Sequence, residues 1–203
     1  MGGLAASGGY YISMACGDQP DVIFAEPSTW TGSIGVLIPR FNAEGLLNML
    51  AIEDETVKSA PLKAMMTPTK KMTPEERAVL EQLVADSFAQ FKQIVESGRP
   101  KLRGDKAAMD KVTTGQVFTT KRAIELGLVD REGFLEDAVN RAIELGGLDK
   151  KETKVVKYRK SKSVVEALLD AQGPRRPTLD VRGVLDLATP RAYYLFAWPQ
   201  AGE

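Results

Sequence analysis

The chain has 203 residues, of which 43% are hydrophobic and 27% charged, and this is the composition of a globular protein long enough to bury a core. The 27 Lys and Arg residues balance 27 Asp and Glu residues, so the zero net charge gives no electrostatic reason to expect nucleic acid as a partner. Histidine is absent, which excludes Ser-His-Asp catalysis, Cys-His catalysis and His-ligated zinc within this chain. We expect neither a metal site nor a cofactor.

Cys16 is the single cysteine, so an intrachain disulfide and a thiolate metal cluster are both excluded. Its apolar neighbours predict that it is buried as a small hydrophobic residue. No apolar run reaches the roughly 18 residues of a membrane span, and the glycine-rich segment 1–15 lacks the basic start of a signal peptide. The sequence as given predicts neither targeting nor a membrane anchor.

The part of the chain before residue 73 combines short β-type runs with glycine, serine and proline. We predict a strand over Val22–Glu26 and then a tight turn over Thr31–Gly35, which leads into an apolar run over Val36–Pro39. A helix is predicted over Asn42–Leu50, with Asn42 as its N-cap. A strand over Glu55–Lys58 and a loop over Ser59–Met72 are predicted to follow.

The clearest predicted element begins at Thr73. Thr73 and Glu76 form a capping-box pattern, with Pro74 at the first helical position. Apolar residues then recur at helical spacing as far as Val95, and Gly98 closes the pattern. These signals predict one long amphipathic helix.

Two shorter helices are predicted in the following segment. The predicted elements are a helix over Thr120–Leu126, a buried two-residue strand at Leu128–Val129 and a helix over Phe134–Leu145. Gly127 and Gly146 are predicted to end the two helices.

The composition changes after Gly147, where basic residues dominate over residues 150–162. A solvated strand or arm is the prediction for this run. The Pro- and Arg-containing segment Gly173–Pro177 is predicted to be a linker. We therefore predict a compact domain over residues 1–149 and a basic C-terminal appendage over residues 150–203.

Ser7 is flanked by small residues, in the segment from Ala5 to Tyr10, and an apolar helical run follows it. Small neighbours allow a substrate backbone to approach a hydroxyl, and the Gly8 amide at a helix N-terminus favours an oxyanion. The segment differs from the G-x-S-x-G nucleophile elbow because Ala5 stands at the first glycine position. Taken alone, the segment indicates either a nucleophile turn or a glycine-rich turn that packs a helix against a strand.

Without histidine, the base for a serine nucleophile must be a carboxylate or a lysine whose pKa is lowered. An ordinary lysine, with a pKa of ~10.4, must lose about three pKa units to accept a proton at pH 7. Burial among apolar groups lowers a lysine pKa in this way. Lys63 has apolar, uncharged neighbours on both sides, whereas Lys58, Lys70 and Lys71 have the pattern of solvated lysines. Lys63 is the candidate base, and a surface loop lysine is the alternative.

Several segments that carry a family resemblance lie in order over residues 1 to about 140. They are Met1–Ser13, Thr31–Val36, Glu55–Ser59 with Lys63, Met66–Thr69, Met72–Glu76, Gly115–Phe118 and Ala123–Asp130. Together they resemble the signal peptide peptidase A family, the S49 serine–lysine peptidases.

The resemblance implies that Ser7 is the nucleophile and that Lys63 is its general base. It implies that the Gly8 amide is one donor of the oxyanion hole, and that Ser33 hydrogen-bonds the lysine and orients it. The implied fold is α/β of the Clp/crotonase type, built from β-β-α units. The implied partners are hydrophobic peptides, such as cleaved signal peptides, and further copies of the chain in a homo-oligomer whose active sites neighbouring subunits complete.

The chain departs from the family pattern in three places. The family has sequence before the nucleophile strand, including a segment with the second oxyanion donor, so we expect the chain to lack the N-terminal part of the usual domain. We expect this chain, on its own, to be oligomeric or aggregation-prone and nearly inactive. Gln116 stands where the family usually has an arginine, and residues 17–20 lengthen the loop after the nucleophile helix. The implied localisation is bacterial-type, membrane-associated if an anchor lies upstream and otherwise cytoplasmic.

Two other functions remain open from the sequence. One is a non-catalytic or truncated oligomerising module of the same fold. The other is a crotonase-like acyl-CoA binder, which is disfavoured because a lysine-rich loop alone is not a CoA site. The prediction is a serine endopeptidase with a dyad of Ser7 and Lys63.

Overall fold

A computed structural model of the chain describes residues 1–156 and residue 158. These residues form a mixed α/β structure, as predicted, and fall into two compact units. The first unit comprises residues 1–39 and 73–153, and the second comprises residues 40–72 with the described residues after 153. The predicted linker Gly173–Pro177 and most of the predicted appendage lie outside the described residues.

The elements of the described residues follow one another in short alternation. In chain order they are β1 (Leu4–Ala6), α1 (Gly8–Ser13), β2 (Phe24–Ala25), β3 (Trp30–Gly32), α2 (Glu44–Met49), α3 (Pro74–Gly98), α4 (Lys106–Val112), β4 (Val117–Thr119), α5 (Thr120–Glu125), β5 (Arg131–Glu132) and α6 (Leu135–Leu145), with 3₁₀ turns at Met14–Cys16 and Pro61–Ala64. Within the described part of the chain, no helix is both long and apolar enough to cross a bilayer.

Two small sheets join segments that are distant in sequence. β1 pairs in parallel with β3, with Ala6 opposite Gly32, and β3 pairs antiparallel with β4, with Thr31 opposite Phe118. β2 and β5 form a separate parallel pair. The buried Thr31 hydroxyl donates to the Ala5 carbonyl at 2.7 Å and adds a side-chain link between β3 and β1. The residues that follow β1 and β3 therefore stand side by side.

One hydrophobic core fills the first unit. Its fully buried members include Tyr10, Ile34, Phe91, Val95, Val112 and Leu128. The Phe91 ring of α3 lies 5.2 Å from the Tyr11 ring of α1, centroid to centroid. At the end of α3, a Cβ added to Gly98 would lie 2.8 Å from the Met14 sulfur. The core thus packs α3 closely against α1 and the turn that follows it.

The long helix α3 has the bounds and the cap that the sequence predicts. The Thr73 hydroxyl accepts the Glu76 N–H at 3.2 Å, and the Glu76 carboxylate accepts the Thr73 N–H at 2.9 Å. The two helices predicted further along the chain are present as α5 and α6. Gly127 follows α5 with a φ of 76°, a value that favours glycine.

Two predictions on burial and strands are wrong. Cys16 is exposed, because it lies in a 3₁₀ turn of which Met14 is the buried residue. Leu128–Val129 is buried as predicted, but the short strand lies further along, at Arg131–Glu132, where it pairs with β2. Met14 is buried next to Cys16, whereas the apolar residues Ile12 and Ala15 are exposed. The strand forms at Arg131–Glu132 because β2 pairs with it there.

The second unit also differs from its predicted elements. The predicted strand over residues 55–58 is absent, and these residues are exposed. α2 is shorter than predicted and has Ala43 at the N-cap position, although the Asn42 side chain accepts the Glu44 N–H at 2.9 Å. Asn42 therefore satisfies a helix-start donor from the position before the observed N-cap.

A buried ion pair joins three segments of the first unit. Arg99 Nη2 lies 2.7 Å from Asp130 Oδ1, and Arg99 Nε donates to the Gly127 carbonyl at 2.7 Å. The second carboxylate oxygen accepts the N–H groups of Val22 and Ile23 at 3.0 and 2.9 Å. Burial alone would raise the pKa of Asp130, but the hydrogen bond and charge of Arg99 and the two backbone N–H groups together hold it below its usual value.

Candidate active site

Ser7 lies at the junction between β1 and α1, and its backbone conformation is unusual. Its φ is 51° and its ψ is −113°, and non-glycine residues rarely adopt such a positive φ. The residue is 2% exposed. Its N–H donates to the Gly32 carbonyl at 2.7 Å, and its carbonyl accepts the Tyr11 N–H at 2.9 Å. The succession of strand, strained serine and helix is the structural context of a nucleophile elbow.

Gly8 is the first residue of α1. Its N–H therefore has no acceptor within the helix. Because Gly8 directly follows Ser7, this N–H is placed to bind an oxygen atom on a carbon that the Ser7 hydroxyl attacks.

Ser33 follows the neighbouring strand β3 and shares a positive φ with Ser7. Its φ is also 51°. Because Ala6 pairs with Gly32, Ser7 and Ser33 directly follow paired residues of two adjacent parallel strands. The structure therefore brings together three of the predicted site residues, Ser7, Gly8 and Ser33.

The turn into Ser33 depends on Gly32 and on β4. Gly32 has a φ of 88°, and a Cβ there would lie 2.6 Å from the Phe118 ring. The Ser33 N–H donates to the Gln116 carbonyl at 2.7 Å. This contact uses the main chain of Gln116, so the exchange of the usual family arginine for glutamine leaves it intact.

An open cleft of about 280 Å³ lies beside the two serines. It is lined by Ser7, Ser33, Gly35, Val36, Leu37, Val84, Phe88, Thr113, Thr114 and Gly115. Val84 and Phe88 come from α3, and the Lys92 ammonium lies 4.8 Å from the centre of the Phe88 ring. The cleft can accept an apolar group next to the Ser7 hydroxyl.

The role of Val84 and Phe88 in the cleft is not visible in the sequence. Their helical spacing predicts only that they belong to the apolar stripe of α3. In the structure both are half-buried, and the fully buried part of the stripe lies further along the helix, at Phe91 and Val95. The shared lining of one cleft by α3 and the turn after β3 is a tertiary feature, and no local sequence signal predicts it.

Lys63 belongs to the second unit, where it lies in the 3₁₀ turn Pro61–Ala64. The expected burial of its side chain is not observed, because Lys63 is exposed while its neighbours Leu62 and Ala64 are half-buried. Adjacent residues of a short turn point to different sides, so apolar neighbours in sequence do not bury the lysine between them.

No cluster of three or more potential metal-ligating residues occurs in the part of the chain that the structure describes. At the site itself, Ser7 and Ser33 contribute hydroxyl groups and Gly8 contributes a backbone N–H. A strained serine beside a helix-start N–H and an apolar cleft is typical of hydrolytic enzymes that form an acyl intermediate.

The chain belongs to peptidase family S49, since the model of that family matches residues 1–149. The resemblance drawn from the sequence is thereby confirmed.

Relatives in several organisms carry protease names. The putative protease slr0021 of Synechocystis sp. is 35% identical over 189 residues, which cover 92% of this chain and 65% of that protein. The putative signal peptide peptidase SppA of Enterococcus faecium is 42% identical over 136 residues, 67% of this chain and 38% of that protein. Protease 4 of Salmonella typhi is 33% identical over 171 residues, 84% of this chain and 26% of that protein. The chain thus spans between about a quarter and 65% of the length of these relatives.

Proposed function

We propose that this protein is a serine endopeptidase in which Ser7 is the nucleophile and Lys63 is the general base. The observation that carries the proposal is the strained, buried Ser7 between β1 and α1, next to the Gly8 N–H and an apolar cleft. Membership of peptidase family S49 supports hydrolysis of a peptide bond as the reaction. The β1–Ser7–α1 unit and the parallel pairing of β1 with β3 support a Clp/crotonase-like fold.

The reaction proceeds through an acyl group on Ser7. The Ser7 hydroxyl attacks the carbonyl carbon of the scissile bond while the Lys63 amine accepts its proton. The Gly8 N–H stabilises the oxyanion that forms. The C–N bond then breaks as the Lys63 ammonium passes the proton to the leaving amine.

Hydrolysis of the acyl group regenerates the enzyme. Lys63 accepts a proton from a water molecule, and the resulting hydroxide attacks the ester carbon. The ester bond breaks, the proton passes from Lys63 to the Ser7 oxygen, and the peptide leaves as a carboxylic acid that releases its own proton to water. Ser33, which directly follows the strand beside Ser7, accepts a hydrogen bond from the lysine amine and orients it.

The lining of the cleft supports hydrophobic peptides as substrates. No charged side chain is among its lining residues within the described part of the chain, and Val36, Val84 and Phe88 provide apolar surface. The relative from Enterococcus faecium is named a putative signal peptide peptidase, and signal peptides are apolar. We extend that substrate class to this chain.

A homo-oligomer is the proposed assembly. Leu4, Ile12 and Leu83 of the first unit are large apolar residues that are 52%, 72% and 47% exposed. A second copy of the chain would cover such residues. We propose no nucleic-acid partner, since the net charge is zero.

Hydrolysis of an apolar peptide by the protein as its gene encodes it tests the proposal. Ser7→Ala is expected to abolish turnover without loss of the folded state, because no acyl intermediate can form. Ser13→Ala is the matched control, since the Ser13 hydroxyl only donates to the Gly9 carbonyl within α1. Wild-type rates in Ser7→Ala would refute the nucleophile, and binding of apolar peptides without any turnover would favour the non-catalytic module.

A further inference from the structure

Within the second unit, the Arg40 side chain hydrogen-bonds backbone carbonyl groups of residues 67–70. Its Nη2 donates to the Thr67 carbonyl at 3.0 Å and to the Lys70 carbonyl at 2.7 Å. This nitrogen carries two N–H bonds, so both hydrogen bonds can exist at once. The Ala43 N–H adds a third link, to the Pro68 carbonyl at 2.8 Å. Residues 40–43 and 67–70 are therefore fastened together.

A series of backbone hydrogen bonds connects the fastened segment to Lys63. The N–H groups of Lys63, Met65 and Thr67 donate to the carbonyls of Ala60, Leu62 and Ala64 at 3.2, 3.1 and 3.2 Å. Each bond spans three residues, so consecutive turns run from Ala60 to Thr67. The last residue of the series is one of the two whose carbonyls Arg40 holds.

Asp54 fastens the same segment from another part of the loop. Its carboxylate accepts the hydroxyl groups of Thr56 and Thr69, and the Thr69 hydroxyl lies 2.7 Å from that of Thr67. These hydrogen bonds lower the pKa of Asp54. Asp54 is fully exposed, whereas the Nε of Arg40 is buried. The Arg40 side chain is therefore less accessible to water than the Asp54 carboxylate.

We infer that Arg40 is a positioning residue that fixes the turn from which Lys63 acts as the base. The inference rests on the proposed role of Lys63. Among the described residues the buried Nε of Arg40 has no hydrogen-bond partner, so Arg40 acts through Nη2. A lysine, which carries three N–H donors on one nitrogen, can therefore replace Arg40, whereas a methionine cannot.

Steady-state kinetics of Arg40→Met and Arg40→Lys test the inference. Arg40→Met is expected to lower kcat by roughly tenfold to a hundredfold with little change in KM, because small displacements of a catalytic group slow the reaction to this degree. Arg40→Lys should retain most of the activity. Arg77→Met is the matched control, since Arg77 is an exposed residue of α3 that pairs with Glu81 at 3.8 Å. It should change neither constant.

Hydrogen exchange gives a second readout that does not depend on activity. The amides of Lys63, Met65 and Thr67 should exchange faster in Arg40→Met and at the wild-type rate in Arg40→Lys. The amides of α3 should be unchanged in both variants, which would show that the first unit remains folded.

The outcomes separate the inference from the proposed function. A kcat of Arg40→Met within about twofold of the wild type, in an assay where Lys63→Ala is inactive, would overturn the inference alone. Equal losses in Arg40→Lys and Arg40→Met, or unchanged exchange at Lys63, would also overturn it. Full activity of Lys63→Ala would overturn the proposed base and the inference together.

Discussion

At the scale of residues, two serines with the same positive φ stand where two parallel strands end. A non-glycine residue with such a φ costs on the order of 1–3 kcal/mol, and both Ser7 and Ser33 have a φ of 51°. Hydrogen bonds from their N–H groups to the carbonyls of Gly32 and Gln116, both at 2.7 Å, hold the two conformations. Both residues line the same cleft.

Substitutions of Lys63 test the second member of the dyad. Lys63→Ala and Lys63→Arg are both expected to reduce peptide hydrolysis by about a hundredfold or more, because general-base catalysis is lost and arginine does not release its proton. Lys71→Ala should retain most activity, since Lys71 lies outside the turn Pro61–Ala64 and its ammonium lies 3.9 Å from the Glu44 carboxylate. Initial rates on one apolar peptide measure the effect. Normal turnover by Lys63→Arg would require a carboxylate base instead.

At the scale of elements, α3 is fixed at its two ends by different interactions. Its start is fixed by the reciprocal hydrogen bonds of Thr73 and Glu76, of which Glu76 is 2% exposed. Its end is fixed by steric contact, because Gly98 leaves no room for a side chain beside Met14. Between these ends, the helix supplies Phe88 to the cleft. The position of α3 therefore bears on the shape of the site.

Alanine at two helical glycines is expected to have effects of opposite sign. Gly98→Ala should lower the free energy of unfolding by about 1–3 kcal/mol, because its Cβ would lie 2.8 Å from the Met14 sulfur. Gly45→Ala in α2 should raise it by roughly 0.5–1 kcal/mol, since no atom lies within 4 Å of the added Cβ. Urea denaturation of both variants gives the comparison. A higher free energy of unfolding in both variants would contradict this prediction and show that Met14 moves aside without an energetic cost.

Elements with strong local signals could be predicted from the sequence, and short elements could not. The start of α3 is predicted by four consecutive residues, Thr73 to Glu76, and its end by Gly98. α4 has seven residues, and its cap at Asp105 is the main local signal. Strands of two or three residues, such as β3 and β5, exist because distant segments pair with them. Periodicity cannot report such pairing.

The candidate site residues could be named from the sequence, and their roles stay predictions, whereas their geometry could not be predicted. Ser7, Gly8 and Ser33 are identified by the resemblance of the segments in which they lie, and the structure places them together. The positive φ of both serines has no local sequence signal, since glycine is the usual residue at such a φ. The exposure of Lys63 also contradicts what its apolar neighbours in sequence suggest.

At the scale of the whole first unit, the Arg99–Asp130 pair ties the end of α3 to the β2–β5 pair. The Arg99 side chain is 3% exposed and follows α3, and Asp130 follows α5. Asp130 also accepts the N–H groups just before β2. Removal of one member would leave the other charge buried without its counter-ion.

Asp130→Asn is expected to lower the free energy of unfolding at pH 7 by about 3–5 kcal/mol, because Arg99 loses its buried counter-ion. The folded-state pKa of Asp130 lies below its usual value, so its stabilising contribution is present above the ordinary carboxyl range and is lost as the pH falls through the folded pKa. The difference between wild type and variant should therefore shrink on acidification. Denaturation at pH 7 and at pH 3 measures it, with the exposed Asp110→Asn as control.

The acyl group on Ser7 provides the most direct test of the account. The protein is mixed with an apolar peptide ester, the reaction is stopped with acid during steady-state turnover, and the digested protein is analysed by mass spectrometry. We predict the mass of the acyl group on the peptide that contains Ser7, and its absence in Ser7→Ala and in Lys63→Ala. Steady turnover with no acyl group on Ser7, or with the group on another residue, would contradict the account.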